Sequence, residues 1–303
     1  MINKIIIPPI KCQGIKSKLV PLILANSPHL NEMAWIEPFM GSGVVGLNAR
    51  PVKALFSDIN PHLINFYNAL KSKSITPEST RLYLEKEGRL LKEQGETYYY
   101  SVRERFNREK DPMDFLFLSR SCFNGMIRFN SKGWFNVPFC RKSNRFAIAY
   151  ITKIVNQIAR FYNVLSNCSW SFTCQDFETT ISSATEKDFI YCDPPYLGRH
   201  VDYYNSWTVE DEKRLYDCLA ATKAKFILST WHSNKYRKND SLYSLWSKFS
   251  IVTQDHFYHV GAKEDNRNPM VEALVMNFTP LCEKIEKTQP IPDLFYSTTV
   301  NAL

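Results

Sequence analysis

Asp188-Phe-Ile-Tyr-Cys-Asp-Pro-Pro-Tyr196 is the stretch of sequence that decides the fold. Its apolar, aromatic-rich part, Phe189 to Cys192, predicts a short buried strand, and Asp193 stands where that strand ends. Each of the two prolines that follow fixes φ and removes an amide donor, so the chain is expected to leave the sheet in one extended shape. Tyr196 would then lie at a fixed place beside Asp193.

These residues suit the chemistry of an amino group attached to a planar ring. The lone pair of such a nitrogen is delocalised into the ring, which makes the nitrogen a poor nucleophile. Asp193 and the carbonyl oxygen of Pro194 could each accept one N–H bond, which would free the lone pair, while the Tyr196 ring stacks on the substrate ring. The alternative is a strand that ends in a proline turn with a capping Asp. The complete Asp193-Pro194-Pro195-Tyr196 sequence after an apolar strand favours the chemical interpretation.

Composition and charge set broad limits. The chain has 303 residues, of which 44% are hydrophobic, enough for one large core with or without an inserted module. Its net charge of +8 suits a polyanionic partner. The eight cysteines contain no Cys-x-x-Cys pair and the six histidines have no metal-ligand spacing, which predicts reduced thiols and no metal site. No signal peptide or membrane-length apolar run is visible, so we expect a cytoplasmic protein.

Residues 34 to 49 predict a strand, a tight glycine turn and a helix. Gly41 and Gly43 would let the backbone approach a ligand closely, and the helix would present its amino end to it. A second strand over residues 54 to 57 ends at Asp58, 17 residues after Gly41. A nucleoside-binding sheet places an acid on the ribose hydroxyls at about this spacing. Pro38 and the missing third glycine argue against a dinucleotide, so a nucleoside without a pyrophosphate fits better.

Residues 114 to 142 combine two turn signals, Asn124-Gly125 and Lys132-Gly133, with basic and amide side chains. Arginine and asparagine are the side chains that read guanine and adenine edges with paired hydrogen bonds. The stretch therefore predicts a nucleic-acid interface. A basic hairpin on an ordinary surface is the alternative.

Strands that end at Glu37, Asp58, Asp176 and Asp193 alternate with helices along the chain. This order predicts an α/β protein with a doubly wound, mostly parallel sheet and a ligand outside the carboxyl ends of its strands. Two more strands, over residues 251 to 260 and 271 to 278, would close the sheet. An adenosine-like ligand and an amino-bearing ring would meet at this edge. No metal or nucleophilic residue is needed if the ligand carries an activated methyl group.

Five motifs occur in the order found in Dam-like, D12-class DNA adenine-N6 methyltransferases, which the chain resembles from about residue 8 to 278. The motifs are Glu37-Pro-Phe-Met-Gly-Ser-Gly43, Ser57-Asp-Ile-Asn60, Asn124-Gly-Met-Ile-Arg-Phe-Asn130, Phe135-Asn-Val-Pro-Phe139 and Asp193-Pro-Pro-Tyr196. Several motifs in a fixed order are far more specific than any one of them. The run from Ser121 to Gly133 and the amino-terminal Pro-Pro-Ile-Lys look closest to the EcoRV-type modification enzymes of the family.

The resemblance implies a Rossmann-like, S-adenosylmethionine-dependent methyltransferase fold, formed by residues 1–70 and 166–280. Residues 71–165 would form an inserted, mainly helical target-recognition domain, and residues 281–303 a C-terminal tail. The partner would be double-stranded DNA, methylated on an adenine at a GATATC-type site. A cognate restriction endonuclease would act on the same site without a stable complex, and no membrane would be involved.

The resemblance also implies roles for single residues. The methyl donor would be bound by Cys12, Lys16, Glu37, Phe39, Gly41, Gly43, Asp58, Asp176, Phe177 and Asp193. The target amine would be held by Asp193, Pro194, Pro195 and Tyr196. DNA would be contacted by Arg120, Asn124, Arg128, Asn130, Lys132, Pro138 and Arg141. At Cys12 the backbone would make the contact, because many relatives carry tryptophan there and stacking is not implied for cysteine.

Three alternatives to adenine methylation remain open from the residues. Methylation of a cytosine N4 amine or of a protein glutamine amide would also suit a Pro-Pro-Tyr site. A non-catalytic DNA-binding module is the third, and the presence of both Asp58 and Asp193 argues against it. The motif order and the arginine-rich insertion favour adenine, which would have to be extruded from the duplex at a cost of about a few kcal/mol.

Overall fold

The computed structural model describes residues 4–12, 14–30, 33–197, 207–257 and 269–282. The strands are β1 Ala34–Glu37, β2 Lys53–Asp58, β3 Ser169–Cys174, β4 Asp188–Cys192, β5 Lys225–Ser233, β6 Ser250–Phe257 and β7 Pro269–Met276. The α-helices are α1 Val20–Asn26, α2 Val44–Ala49, α3 Pro61–Lys71, α4 Pro77–Gln94, α5 Glu96–Glu109, α6 Pro112–Ser121, α7 Ile148–Leu165, α8 Phe177–Ser182, α9 Val209–Ala221 and α10 Asp240–Ser244. The last residues of the predicted strand over 251 to 260 and most of the predicted tail, residues 281–303, lie outside the described residues.

The seven strands of the described residues form one sheet in the order β3-β2-β1-β4-β5-β7-β6. The first five strands in that order are parallel, and β7 runs antiparallel to both β5 and β6. The predicted doubly wound α/β fold with a closing antiparallel strand is thereby confirmed. The chain runs from β1 outward to β3 and then returns to β4, so a crevice is expected beyond the carboxyl ends of β1 and β4.

The central strand β4 is buried along its apolar length. Residues 189 to 192 are all fully buried, because both faces of a mostly parallel sheet are covered. Trp35 of β1 packs against the rings of Phe189 and Tyr191, with centroids 5.1 and 5.8 Å apart. Asp193 therefore follows a strand that is held by packing on both faces.

The segment between α3 and β3 carries helices α4 to α7 and an irregular hairpin, residues 122 to 139. Its interior is continuous with one face of the sheet, because a single apolar cluster runs from Phe56 and Tyr67 to Phe106, Phe117 and Phe135. Among the described residues, the insertion and the sheet therefore share a core. The predicted domain boundaries stay a prediction.

An ion cluster with two buried carboxylates and a partly exposed arginine lies within the insertion. The Arg105 guanidinium donates from Nε to Asp114 at 2.8 Å and from Nη2 to Glu87 at 2.8 Å. Tyr99, also buried, donates from its hydroxyl to the carbonyl of Val137 in the hairpin at 2.8 Å. These contacts fix the helices that support the hairpin.

The amino-terminal segment is fastened to both parts of the molecule. Asn48 of α2 forms a pair of hydrogen bonds with the backbone of Ile6, at 2.8 and 2.9 Å. The carbonyl of Pro9 accepts from the Arg120 side chain in the insertion. The segment then leads to Lys16, which lies at the crevice. None of the described helices is long and apolar enough to span a bilayer.

Candidate active site

Asp193 lies at the carboxyl end of β4, at the edge of the crevice. Its Oδ1 atom is 2.8 Å from Lys16 Nζ and accepts a hydrogen bond from Ser229 Oγ of β5 at 2.9 Å. Burial raises the pKa of the Asp193 carboxyl group, and Lys16 and the Ser229 hydroxyl oppose this rise. The carboxylate is thus a shielded acceptor held by one cation and one hydroxyl group.

Tyr196 lies beside Asp193 and is held by residues from three parts of the chain. The Lys16 ammonium nitrogen lies 4.8 Å from the centroid of its ring. The ring packs against Trp231 of β5, and its hydroxyl donates to Glu272 of β7. Lys16 therefore contacts both predicted substrate-binding groups. These are the Asp193 carboxylate, which would bind the amine, and the Tyr196 ring, which would stack on the substrate ring.

The glycine turn after β1 is built from left-handed backbone. Gly41 has φ of +48° and Gly43 has φ of +66°, values that non-glycine residues rarely adopt. A Cβ atom on Gly41 would meet no described atom within 4 Å, whereas one on Gly43 would lie 2.9 Å from Met40 Cε. The turn is therefore open to a ligand at Gly41 and closed by packing at Gly43.

Asp58, at the end of β2, lies against this turn. Its Oδ2 accepts from the Gly41 amide and its Oδ1 from the Asn60 amide, each at 2.9 Å. Burial raises the pKa of its carboxyl group, and these amide bonds counteract the rise. The Ile59 amide also bonds to this carboxylate. The residue predicted to hold ribose hydroxyls thus stands next to the open space at Gly41.

Glu37 was predicted to bind the methyl donor, and the structure shows that it also joins two elements of the fold. Its side chain is only 2% exposed, and Oε2 accepts from the Trp35 indole at 2.9 Å and from the Gly46 amide at 3.1 Å. Burial raises its pKa to about 8. Both of these hydrogen bonds end on Oε2, so Glu37 fastens β1 to α2 through that oxygen. Its predicted contact with the methyl donor stays a prediction.

Asp176 and Phe177 were predicted to reach a purine ring. Strand β3 ends at Cys174, and Asp176 caps α8 by accepting from the Glu178 amide at 2.9 Å. Its carboxylate also pairs with Arg214 Nη2 at 3.0 Å. The predicted purine contact of Asp176 would therefore compete with Arg214.

Phe177 is buried in an aromatic cluster near the same edge. Its ring centroid lies 5.2 Å from that of Phe39 and 5.6 Å from that of Trp207, and the Arg214 guanidinium lies 4.9 Å from it. The structure thus brings together Phe39 and Phe177, two of the predicted donor-binding residues.

Cys12, predicted to contact the donor through its backbone, lies in the amino-terminal segment. Burial is the main cause that raises its thiol pKa to about 12, and the nearby Asp58 carboxylate adds to it. The thiol therefore stays neutral near pH 7. The backbone contact itself stays a prediction.

The hairpin over residues 122 to 139 turns at residues 130 to 133, where the sequence predicts a turn at Lys132-Gly133. Phe129 and Phe135 pair across it, and Asn130 Oδ1 accepts from the amides of Lys132 and Trp134, each at 3.0 Å. Arg128 is half-buried and donates from Nε to Asn136 Oδ1 at 2.8 Å. Five other residues predicted to contact DNA are exposed to solvent: Asn124, Asn130, Lys132, Pro138 and Arg141.

Arg120 was also predicted to contact DNA, and the structure corrects this prediction. Its side chain is 5% exposed, and it donates to the Pro9 carbonyl at 2.7 Å and to Gln157 Oε1 at 2.6 Å. The Pro8 carbonyl and the half-buried Tyr150 hydroxyl also accept from it, each at 3.4 Å. Arg120 therefore joins the amino-terminal segment to the insertion and is not available to a phosphate or a base.

Residues 13–260 match the family described as D12 class N6 adenine-specific DNA methyltransferase. The chain belongs to this family. The DNA adenine methylase of Vibrio cholerae is 32% identical over 283 residues, which cover 89% of this chain and 95% of that protein. The Type II methyltransferase M1.LlaDCHI of Lactococcus lactis is 29% identical over 293 residues, covering 91% and 97%. The Type II methyltransferase M.FokI of Planomicrobium okeanokoites is 28% identical over 287 residues, and the chain spans only 44% of its length.

Membership of the D12 class makes the chain an adenine-specific DNA methyltransferase and implies S-adenosylmethionine as its methyl donor. The crevice between β1 and β4, with the glycine turn, Asp58 and Asp193, is the candidate active site of this D12-class enzyme. Within the described ranges, no three His, Cys, Asp or Glu side chains lie together as a metal site. The relation to EcoRV-type enzymes stays a prediction.

Sequence reasoning missed four residues at the site of this D12-class chain. Ser229 and Trp231 come from β5, Glu272 from β7 and Arg214 from α9. One signal was present, since Glu272 is a single acid in the otherwise apolar run from Pro269 to Met276. Such an acid in a buried strand needs a partner and so marks a place to look.

Proposed function

We propose that the chain transfers a methyl group from S-adenosylmethionine to the N6 amine of an adenine extruded from double-stranded DNA. Asp193, the Pro194 carbonyl and the Tyr196 ring would hold the target base. The observation that supports this most is the meeting of an Asp193 carboxylate and a Tyr196 ring at one cation, Lys16, at the carboxyl edge of the sheet. A base amine attached to an aromatic ring would make the same two contacts that this ammonium group makes.

The residues at the glycine turn fit the methyl donor. The space beside Gly41 is open and the backbone there is left-handed, so a ligand could approach the main chain closely. Asp58 presents acceptor positions next to that space, which suits ribose hydroxyls. When bound, the donor supplies a methyl carbon activated by a sulfonium.

The chain's own groups would act on the amine. Asp193 and the Pro194 carbonyl would each accept one N–H bond, so that the nitrogen lone pair points at the methyl carbon. As the N–C bond forms and the C–S bond breaks, the nitrogen carries one proton too many. Asp193 would accept that proton and release it to water, for which a raised pKa is favourable.

Only 7% of the Tyr196 side chain is exposed, so the base cannot stack on it unless a covering group moves. Among the described residues, Lys16 lies over the ring and also bonds to Asp193. We infer that the Lys16 ammonium leaves the ring when the base enters. This movement replaces one cation–ring contact by stacking.

The hairpin would contact the DNA. Arg128 and Asn124 would read base edges, while Asn130, Lys132, Pro138 and Arg141 would position the hairpin on the duplex. A GATATC-type site, a modification role beside a cognate endonuclease and a cytoplasmic location belong to the same proposal. The Type II methyltransferases among the relatives support the modification role.

The test is methyl transfer from radiolabelled donor to plasmids that differ only in candidate sites, followed by nucleoside analysis. We expect label in N6-methyladenine, and only where the preferred site is present. Asp193→Ala should abolish transfer and leave specific DNA binding intact. Label in N4-methylcytosine or in protein glutamine, or full turnover by Asp193→Ala, would overturn the proposal.

A further inference from the structure

Glu272 is a buried acid for which the proposed chemistry has no use. It lies on β7, its side chain is 1% exposed, and its neighbours from Ala273 to Met276 are equally buried and apolar. Burying a carboxyl group is costly unless hydrogen bonds compensate for the lost water. An apolar residue would fill this place in the strand at less cost, so the position of Glu272 calls for an explanation.

The Glu272 carboxyl group accepts a hydrogen bond from the Tyr196 hydroxyl. A hydrogen bond is formed only within a narrow range of distance and angle. The bond therefore restricts where the far end of the tyrosine ring can lie. The near end is restricted by the two prolines that precede Tyr196.

Trp231 supplies the surface on which the same ring rests. Trp231 and Glu272 are direct partners in the antiparallel pairing of β5 and β7, so one side chain from each strand meets Tyr196. The Arg237 guanidinium lies 5.2 Å from the Trp231 ring and adds a cation–ring contact. The ring of Tyr196 is thus fixed by two positions of the sheet that pair with one another.

We propose that Glu272 is a positioning residue for methyl transfer, which holds the Tyr196 ring through its hydroxyl, against Trp231, in the orientation that receives the target base. The proposal rests on the proposed function, because it concerns the stacking role given there to Tyr196. Stacking has a preferred offset and tilt, and the amine must meet the methyl carbon in line. A ring free to tilt would still bind the base, but it would hold the amine out of line with the methyl carbon.

The experiment is a double-mutant cycle on the full-length protein with Glu272→Ala, Tyr196→Phe and the double variant. Glu272→Gln is the conservative variant, because its amide oxygen can still accept the tyrosine hydroxyl. Val252→Ala is the control, since Val252 is a buried residue of β6 that pairs beside Leu274 of β7. Single-turnover methylation rates, KM values for DNA and donor, and thermal unfolding are measured for each.

We expect Glu272→Ala to lower the methylation rate about ten- to a hundred-fold with KM for DNA changed less than about three-fold, because orientation rather than binding is lost. Tyr196→Phe should cost a similar factor, and the double variant no more than the worse single variant, because both changes remove one bond. Glu272→Gln should restore most of the rate. Val252→Ala should unfold at a lower temperature than the unchanged protein but methylate DNA at nearly the normal rate.

Additive losses in the double variant would overturn the proposal, as would a normal rate in folded Glu272→Ala or a loss that Val252→Ala shares. Failure of the proposed function would look different. In that case the unchanged protein would transfer no label to adenine in any DNA tested.

Discussion

At the residue scale, the pKa of Asp193 is the quantity on which the proposed chemistry depends. Burial raises it, and the Lys16 ammonium at 2.8 Å opposes the rise. Ser229 also favours the ionised form, whereas Glu272 disfavours it. The carboxylate must be ionised to accept the amine's N–H bond, so activity should fall as the pH falls through this raised pKa.

Lys16→Gln should therefore move the acid limb of the rate–pH profile to higher pH. Removing the ammonium group takes away a cause that lowers the pKa, so the pKa of Asp193 rises further and more of it is protonated at a given pH. The measurement is kcat/KM for DNA against pH at saturating donor, which reports the enzyme before the base enters, with the exposed Lys4→Gln as control. A limb that stays in place or moves to lower pH would contradict the assignment.

Glu37 gives a second prediction, on stability. Its pKa is about 8 in the folded chain against an ordinary 4.5. Because the folded-state pKa is the higher one, its contribution to stability is fully present below pH 4.5 and is lost as the pH rises through 8. Glu37→Gln keeps an acceptor for Trp35 and Gly46 but cannot ionise.

The free energy of unfolding of Glu37→Gln, relative to the unchanged protein, should therefore increase between pH 5 and pH 9, on the order of 1–3 kcal/mol. Urea unfolding at the two pH values measures it. A difference that does not vary with pH would show that Glu37 is ionised in the folded chain throughout this range.

At the element scale, the hairpin separates base reading from phosphate binding. Arg128 is half-buried and oriented by Asn136, as a side chain that reads a base edge should be, whereas Lys132 is exposed at the tip. Arg128→Ala should cost about 1 to 3 kcal/mol of binding and relax one base position, while Lys132→Ala should weaken binding to all sequences alike. Binding to a panel of single-base site variants measures both. A uniform loss in Arg128→Ala would make it a phosphate contact.

The sequence allowed most elements to be predicted, because the evidence for them is local. The alternation of apolar runs and turn residues located β1 to β4 and the closing strands β6 and β7. The six-residue α8 and five-residue α10 were not predicted, since so few residues show no helical period. Contacts that depend on strand pairing could not be predicted either. Glu272 meets Tyr196 only because β7 returns beside β5.

At the scale of the whole molecule, Arg120 shows why single residue types mislead. It lies in a basic stretch, yet its partners are Pro9, 111 residues away, and Gln157. No local pattern reveals a contact over that separation. The hydrogen bonds of Arg120 to Pro9 and Gln157 join the amino-terminal segment, which leads to the crevice, to helix α7 of the insertion.

Arg120→Met should therefore lower the free energy of unfolding by about 2–4 kcal/mol, because buried acceptors lose their donor. It should leave the salt dependence of DNA binding unchanged, whereas Lys132→Ala should reduce that slope by about one. Chemical unfolding and binding at several salt concentrations give both quantities. If Arg120→Met reduced the salt dependence of DNA binding without changing stability, Arg120 would contact DNA as the sequence predicted.

The apolar cluster that runs from the sheet into the insertion has a consequence for altering sequence preference. A graft of the entire insertion from a relative would have to match an interior built by residues such as Tyr67 and Phe117 on both sides of the junction, and mismatched side chains would leave voids or clashes. Exchange confined to the solvent-facing positions of the hairpin avoids that interior. New specificities are therefore more readily obtained by resurfacing this enzyme than by swapping its modules.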